Sequence, residues 1–285
     1  MSTAPGREGE RAERRRYWRE RGASWNQRDA AADRARDNRL NSALIAAAGI
    51  GPGATVLDLG AGGGEPSISL AATVGVRGLV VALDHAPEML DGTRRRAAAQ
   101  ALGQVCCVVA DMADLPFTDG TFDAVVGRFS LMSVPDRAAA LRAARRVLRA
   151  RGRAAFLVWG PEDVNDRFRA LRQGAQAFFG EEAAAPSTRH ALGTPGAMTA
   201  LMREAGFAAI EEGTVDDMTE IAADRPVWAR SVARTYADRL ATMTAEERAG
   251  LDAAMRQAFA PFRRGGVYRL HAQARLAVGA APAAR

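Results

Sequence analysis

The stretch Val56-Leu57-Asp58-Leu59-Gly60-Ala61-Gly62-Gly63-Gly64 decides how this chain folds. Its first half continues an apolar run that starts at Thr55 and predicts a buried strand, and the glycines predict a tight turn that opens a helix. Glycines in such a turn allow a ligand to approach the backbone closely. The carboxylate of Asp58, two residues before the first glycine, is suited to a cationic ammonium group.

The glycine pattern argues against a dinucleotide. A dinucleotide-binding turn carries glycine at its first, third and sixth positions, so that the pyrophosphate can rest on the helix N-terminus. The sixth position here is Glu65, and we expect its carboxylate to face and repel an anionic pyrophosphate. A nicotinamide-dependent dehydrogenase is therefore the most distant alternative.

From this motif onward strands and helices alternate, as in a parallel sheet built from βαβ units. The predicted strands are Thr55–Leu59, Leu79–Leu83, Val105–Val109, Phe122–Val126, Ala154–Trp159, Phe207–Val215 and Val267–Val278. The sequence thus predicts an α/β fold.

Three aspartates end three consecutive predicted strands, namely Asp58, Asp84 and Asp111. Ligands of open α/β sheets bind at the carboxyl ends of the strands, so these side chains are expected to converge there. Taken alone, Asp84 fits a helix cap as well as a ligand, and Asp111 fits a loop cap. His85 is expected to line the same pocket.

Residues 58–64 match in full the Asp-x-Gly-x-Gly-x-Gly pattern of class I S-adenosylmethionine-dependent methyltransferases. Two further segments, Leu115–Asp123 and Gly127–Met132, resemble the small-molecule group that includes the quinone-biosynthesis enzymes. The resemblance covers residues 40–160 well and the remainder loosely. It implies a Rossmann-like, seven-stranded, mostly parallel sheet whose last strand is antiparallel, with S-adenosylmethionine as the cofactor.

The resemblance also implies roles for individual residues. Asp84 would accept from the ribose hydroxyls, Asp111 from the adenine amino group, and the Met112 backbone would reach the ring. Trp25 would fold over the cofactor, while Arg128 would pair with an acidic acceptor or a helix end. The predicted cofactor site comprises Trp25, Asp58, Gly60, Ala61, Gly62, Asp84, His85, Asp111, Met112 and Arg128.

The chain outside the motif region divides by pattern. We expect residues 1–12 to be a disordered tail and residues 13–50 to form helices that can serve as a lid. Residues 51–285 would be the methyltransferase domain, with helical cap insertions at about 161–195 and 218–262. The apolar stripes of these insertions fit a lid over an aromatic acceptor and fit ordinary packing equally well.

Composition narrows the class of protein. The 285 residues carry a net charge of +6 and no lysine. The arginine-rich start fits a nucleic-acid arm, but its interspersed glutamates favour a solvated tail. Two adjacent cysteines exclude a disulfide framework, and neither an apolar run for a membrane nor a secretory signal is evident. We expect a cytoplasmic protein without nucleic-acid or membrane partners, and the oligomeric state stays open.

The remaining motifs restrict the chemistry. Gly127-Arg128-Phe129-Ser130 stands where base-amino methyltransferases carry Pro-Pro-aromatic. No glutamate lies between Met112 and Pro161, near where protein-arginine methyltransferases need a pair of glutamates. Cys106 and Cys107 are predicted to pack inside a strand. No metal is expected, because Arg128 would repel a cation. His190, in a predicted loop, is the candidate general base.

These observations predict methyl transfer to oxygen, nitrogen or carbon of a small molecule such as a secondary metabolite. Two alternatives remain. One is a non-methylating protein of the same fold, a cyclase or a scaffold, and the other is an RNA methyltransferase.

Overall fold

The computed structural model describes residues 7–26, 30–180, 188–224 and 226–283. The helices are α1 Arg7–Asn26, α2 Ala30–Ala48, α3 Ser67–Val74, α4 Asp91–Ala99, α5 Arg137–Val147, α6 Asp166–Phe179, α7 Ala197–Glu204, α8 Ala229–Thr235, α9 Ala237–Thr242 and α10 Ala245–Phe259. The strands are β1 Thr55–Leu59, β2 Leu79–Asp84, β3 Val105–Val109, β4 Phe122–Arg128, β5 Leu148–Trp159, β6 Ala208–Ala222, β7 Arg263–Arg264 and β8 Val267–Ala280.

All the strands form one sheet in the order β3-β2-β1-β4-β5-β8-β6, with the two-residue β7 paired to β8. The pairs among the first five strands in this order are parallel. Next to β5, the amide of Arg151 donates to Ala281 O while the amide of Ala281 donates to Gly152 O, so β8 runs antiparallel. This confirms the predicted Rossmann-like sheet with an antiparallel last strand, and β7 is a small addition.

The central strands explain the apolar run that marks the motif. Val56, Leu57 and Leu59 of β1 are almost fully buried, as expected for a parallel strand covered on both faces. The edge strand β3 behaves differently, because one of its sides has no neighbouring strand. Cys106 is exposed and Cys107 is partly buried, both with free thiols. The prediction that both cysteines pack inside the strand is therefore wrong for Cys106.

Several element boundaries differ from the sequence prediction. Helix α1 already begins at Arg7, within the stretch predicted to be a tail. The sequence predicts one helix from about Pro87 to Ala101, whereas the structure has a 3-10 turn at Pro87–Met89 and α4 begins at Asp91. Strand β5 starts at Leu148, where an irregularity in its pairing with β4 separates the Phe122 and Ala124 positions. Because a bulge interrupts the alternation of inward and outward side chains, the sequence pattern does not show that β5 begins before Ala154.

The chain divides into two compact units. The first comprises residues 1–158, 195–215 and 275–285, and it contains the glycine motif. Helix α2 is anchored in it by Leu40 and Leu44, which are 2% and 0% exposed. Helix α7 is held at its N-terminus by Glu212, which accepts from the amides of Gly196 and Thr199.

The second unit comprises residues 159–194 and 216–274, two segments that enclose the predicted cap insertions. Helices α6 and α10 pack together where Gly174 leaves room for Met255. Trp228, Phe259 and Tyr268 form the aromatic centre of its core. Thr244 and Glu247 form a capping box at the start of α10. No helix in the described part of the chain is long and apolar enough to cross a membrane.

Candidate cofactor site

Asp58 occupies the end of β1 and is 0% exposed. Its Oδ2 accepts a hydrogen bond of 2.5 Å from Ser67 Oγ, at the start of α3. Its Oδ1 is enclosed and has no hydrogen-bond partner among the described residues. Burial raises the pKa of this carboxyl to about 7, against the opposing effect of the Ser67 hydrogen bond. A buried carboxylate with one unpaired oxygen is an acceptor prepared for a cationic donor.

The glycine turn is held against β2. The amides of Gly60 and Ala61 both donate to Leu83 O, at 2.8 and 2.9 Å. Gly60 has φ +75°, and a Cβ there would lie 2.4 Å from Ser130 Cβ. Glycine is therefore required at this position by its backbone conformation and by Ser130. The predicted close approach of a ligand to Gly60 stays a prediction.

Asp84 fixes the far side of the turn. Its Oδ2 accepts from the amide of Gly62 and its Oδ1 from the amide of Ala86, both at 3.1 Å. Burial raises the pKa of Asp84, while the neighbouring His85 and these amides act in the opposite direction. His85 Nδ1 lies 3.4 Å from Asp84 Oδ1, and its Nε2 is buried without a described partner. Asp58, Asp84, Gly62 and His85 thus lie at the same edge of the sheet.

Glu65 does not present its carboxylate in the way that the argument against a dinucleotide assumes. Its Oε2 accepts from Asn41 Nδ2 at 2.7 Å and from Ser69 Oγ at 2.8 Å, and its Oε1 pairs with Arg96. The side chain is engaged by α2, α3 and α4 and is only 14% exposed. The charge of Glu65 is therefore compensated within the protein, so the argument from repulsion loses its basis.

Asp111 and Met112 follow the end of β3. Asp111 Oδ1 accepts from the amide of Ala113 at 2.9 Å, a local turn bond that uses one of its oxygens. A Cβ on Gly60 would lie 3.4 Å from Met112 Cε, so Met112 reaches the glycine turn. The structure places both residues at the carboxyl edge of the sheet, and the assigned contact with adenine stays a prediction.

Arg128 ends β4 and acts on Asp58 by charge, because its guanidinium opposes the rise in the Asp58 pKa. The guanidinium carbon lies 5.5 Å from the centre of the Phe129 ring. Phe129 itself has φ +54°, and its amide donates to Leu157 O. This strained conformation precedes Ser130, whose side chain sits against Gly60. Arg128 therefore belongs to the surroundings of Asp58, and its own ligand stays a prediction.

Two predicted residues remain, Trp25 and His190. The side chain of Trp25 falls outside the described residues. His190 belongs to the second unit, where its Nδ1 lies 2.7 Å from Gly160 O and its ring packs edge-on to Phe168. Its Nε2 is buried with no hydrogen-bond partner among the described residues. Burial lowers the pKa of His190. With Nδ1 donating to a carbonyl, Nε2 of the neutral ring carries the lone pair.

Several residues that shape this site escaped the sequence analysis. They are Asn41, Ser67, Thr93, Arg96 and Ser130. Only Ser67, nine residues after Asp58, stands close enough in sequence for a local signal. The others lie on elements that tertiary packing brings to the turn.

The side chains fit a cofactor with an ammonium group and a sugar. Among the described residues, Asp58 Oδ1 and His85 Nε2 are buried without a hydrogen-bond partner, and a ligand can donate to the carboxylate oxygen and pair with the ring nitrogen according to its tautomer. Asp84 retains lone pairs beyond its two backbone bonds. Within the described residues, no group of three or more His, Cys, Asp or Glu side chains is placed to hold a metal ion.

Comparison with known proteins agrees with this geometry. A family model described as a methyltransferase domain matches residues 56–152. An uncharacterized protein of Mycobacterium tuberculosis is 38% identical over 131 residues, which is 46% of each chain. Nocamycin O-methyltransferase of Saccharothrix syringae is 34% identical over 172 residues, 56% of this chain and 61% of that one.

A 2-phytyl-1,4-naphtoquinone methyltransferase of Trichormus variabilis is 36% identical over 126 residues, covering 44% of this chain and 55% of that protein. The chain thus spans about half the length of the curated relatives that it matches. This similarity confirms the resemblance to quinone-type enzymes over the matched segment.

Solved structures share the fold over more of the chain. A methyltransferase-like protein of Bacillus halodurans superposes with a TM-score of 0.55 at 21% identity, over 85% of this chain and 98% of that one. The [4+2]-cyclase SpnF gives 0.53 at 18% identity, over 99% and 98%. These structural matches show the fold of the chain, and the match to a methyltransferase domain over residues 56–152 agrees with the Asp58–Gly64 motif and the sheet order.

Proposed function

We propose that this protein transfers a methyl group from S-adenosylmethionine to oxygen, nitrogen or carbon of a small molecule. The observation that carries the proposal is Asp58, fully buried at the end of β1 with Oδ1 unpaired beside a glycine turn held by β2. A protein gains no stability from such a carboxylate unless a ligand completes it.

Within the proposal, each side chain has a distinct task. Asp58 receives the ammonium group of the cofactor, and Asp84 receives the ribose hydroxyls with the oxygen lone pairs that Gly62 and Ala86 leave open. His85 and Met112 line the nucleoside side, and Asp111 receives the adenine amino group. The bound cofactor supplies a methyl group on a sulfonium, which is already activated toward a nucleophile.

The acceptor is proposed to be a small molecule rather than a nucleic acid. Two of the similar proteins are named for small-molecule methylation, one of them as an O-methyltransferase. An acceptor of the secondary-metabolite kind fits this similarity. The cytoplasmic location and the absence of a nucleic-acid partner stay predictions. The role of α1 and α2 as a lid over the cofactor also stays a proposal.

For catalysis, alignment of the acceptor with the methyl group supplies most of the rate, since good orientation alone can be worth about 7–11 kcal/mol. For a hydroxyl acceptor, we propose His190 as the general base. Its Nδ1 faces Gly160 O, and burial lowers its pKa, so a neutral ring with a free Nε2 lone pair prevails at neutral pH. The neutral form is the one that can take a proton.

The first experiment is calorimetric titration of S-adenosylhomocysteine, NAD and NADP into the wild type and into Asp84→Ala. We expect micromolar binding of S-adenosylhomocysteine alone, about −8 kcal/mol, and at least tenfold weaker binding to the variant. Binding of a nicotinamide nucleotide instead would overturn the cofactor assignment. The titrations with NAD and NADP are needed because Glu65 is paired with Arg96, so its charge does not by itself exclude a nicotinamide nucleotide.

A second experiment separates methyl transfer from binding alone. Candidate phenols, quinols and enols are incubated with S-adenosylmethionine, and acceptor-dependent release of S-adenosylhomocysteine is measured. Release supports the proposal. Tight cofactor binding together with conversion of an acceptor that gains no methyl group would support the cyclase alternative. Binding of RNA that survives physiological salt would support the RNA alternative, because non-specific phosphate contacts weaken steeply there.

The role of His190 is tested with His190→Gln once an acceptor is found. We expect kcat to fall roughly a hundredfold for a hydroxyl acceptor, with the dissociation constant of S-adenosylhomocysteine unchanged. The wild-type rate should rise with pH through the lowered pKa of His190, and the variant should lose this limb. Unchanged kcat and an unchanged pH profile would remove His190 from the mechanism.

A further inference from the structure

Two side chains of α4 donate hydrogen bonds to backbone carbonyl oxygens of the glycine turn. Gly62 O accepts from Thr93 Oγ1 at 2.8 Å, and Gly63 O accepts from Arg96 Nη1 at 3.1 Å. Both donors belong to α4, and Thr93 is 0% exposed. The turn is therefore fixed from behind by α4, while β2 fixes it through Leu83 and Asp84.

Arg96 connects the glycine turn to α2 through Glu65. The same guanidinium that binds Gly63 O through Nη1 pairs through Nη2 with Glu65 Oε1. The planar fork of arginine suits two acceptors held side by side, which a lysine ammonium cannot match. Glu65 in turn accepts from Asn41, a residue of α2 that is 1% exposed.

The result is a relay of four residues, Asn41–Glu65–Arg96–Gly63, that runs from α2 to the turn. Helix α2 lies outside residues 56–152, the segment that matches the methyltransferase domain. Leu40 and Leu44, on either side of Asn41, are buried and seat the helix. Ser69 binds both Asn41 and Glu65, which fixes the amide and the carboxylate relative to each other.

We propose that Arg96 and Asn41 are positioning residues for the cofactor turn, and that α2 thereby sets cofactor affinity through the Asn41–Glu65–Arg96–Gly63 relay. The inference rests on the proposed function for its effect on S-adenosylhomocysteine. The restraint of the turn itself is a property of the ligand-free protein. A binding turn that is loosely supported holds its ligand less well, even though every contacting group is present.

The test compares Arg96→Met with Arg95→Met. The two arginines are neighbours on α4, and Arg95 is exposed and has no described contact with the turn. Arg96 is 40% exposed, so its replacement should leave the fold intact. We expect Arg96→Met to weaken S-adenosylhomocysteine binding about five- to tenfold, as expected for the loss of a charge-assisted hydrogen bond. Arg95→Met should bind like the wild type.

A second readout needs no ligand. Amide hydrogen exchange in the Gly60–Gly64 segment should speed up in Arg96→Met and stay at the wild-type rate in Arg95→Met. If the wild type binds no S-adenosylhomocysteine, the proposed function fails. The exchange rates of Gly60–Gly64 then still show whether Arg96 restrains the turn. Wild-type exchange in Arg96→Met would overturn the relay even where the wild type binds the ligand tightly. Faster exchange with unchanged affinity would overturn the part that concerns affinity.

The involvement of α2 is tested with Asn41→Ala against Leu44→Ala. Both residues are buried on α2, so both variants should unfold at lower temperature. Only Asn41→Ala should raise the dissociation constant and the exchange rate of the turn. The double variant Asn41→Ala/Arg96→Met should show less than the sum of the two single effects, because both act through Glu65. Equal effects of Asn41→Ala and Leu44→Ala on the turn would reduce Asn41 to a packing role.

Discussion

The carboxyl edge of β1 and β2 and the core of the second unit bury polar groups in opposite ways. At the edge, Asp58 Oδ1 and His85 Nε2 are enclosed without a partner among the described residues. In the second-unit core, the indole of Trp228 donates to Asp252 at 2.8 Å, and the side chains around it are apolar. Unpaired buried atoms thus indicate a ligand at the edge, and paired atoms indicate packing in the core.

This comparison also separates the two functional histidine candidates. His85 lies at the edge within 3.4 Å of Asp84, whereas His190 lies in the second unit with its ring against Phe168. Each keeps a buried, unpaired Nε2. Among the described residues, His190 Nε2 therefore differs from the paired indole of Trp228 in the same unit, and the kinetic test described above addresses its role.

The largest expected effect is the loss of stability on truncating a side chain in the core of the second unit. Phe259 is 0% exposed and contacts Trp228 and Tyr268. Phe259→Ala should lower the free energy of unfolding by about 3–5 kcal/mol, through lost burial and a residual cavity. Thermal unfolding measures the loss, and the affinity for S-adenosylhomocysteine below the transition should stay unchanged. A parallel loss of affinity would break the distinction between a packing region and a ligand region.

At the edge, Gly60→Ala should abolish most cofactor binding. The new Cβ would meet Ser130 Cβ at 2.4 Å on a backbone with φ +75°. We expect the dissociation constant of S-adenosylhomocysteine to rise about a hundredfold, or about 2.7 kcal/mol. Gly53→Ala is the matched control, because Gly53 has φ +82° but open space around its Cβ position. Equal loss of binding in both variants would show that global strain, rather than the turn, is responsible.

Asp58 predicts a pH dependence of cofactor binding. Its pKa is raised from 3.8 to about 7 by burial, so below pH 7 the ligand-free protein holds a proton that the ammonium group must displace. Affinity should therefore increase about tenfold between pH 6 and pH 8. Calorimetry in buffers of different ionisation enthalpy should record a released proton at pH 6 and almost none at pH 8. Asp58→Asn should remove this dependence.

The same raised pKa affects stability in the opposite sense. Between 3.8 and about 7, the folded ligand-free protein retains a proton on Asp58 that the unfolded chain has lost. The contribution of Asp58 to the free energy of unfolding therefore falls as the pH rises through this range. Asp58→Asn should flatten that decline in denaturant titrations. A decline of unchanged slope in the variant would assign it to other groups.

The smallest expected effect concerns the paired indole of the core. Trp228→Phe removes the donor to Asp252 Oδ1 and keeps an aromatic ring. Asp252 retains its contact with Arg256 and is partly exposed, so the cost should be about 1 kcal/mol of unfolding free energy. Chemical denaturation measures it, with Arg256→Met as the control for the remaining partner. A cost above that of Phe259→Ala would contradict the small contribution expected of this hydrogen bond.

Much of the edge could be predicted from sequence because its signals are local. Asp58, Gly60 and Gly62 stand within five residues, and Asp84 and Asp111 follow apolar runs that predict strands. The second unit gave weaker signals. Its helices were predicted from their apolar stripes, but β6 extends to Ala222, well beyond the predicted end at Val215. The extension carries Asp216, Asp217 and Glu220, and aspartate and glutamate are uncommon in strands.

Local sequence patterns were enough to predict the order of the strands and helices, the glycine turn and the carboxylates at the strand ends. Periodicity and turn chemistry act over a few residues, which is why these features are visible in the sequence. The hydrogen-bond and packing partners of these groups became known only from the folded structure. It turned Glu65 away from the expected ligand and toward Asn41 and Arg96, exposed Cys106 on an edge strand, and placed Ser130 against Gly60. These contacts join residues that are distant in the chain, so no local pattern encodes them.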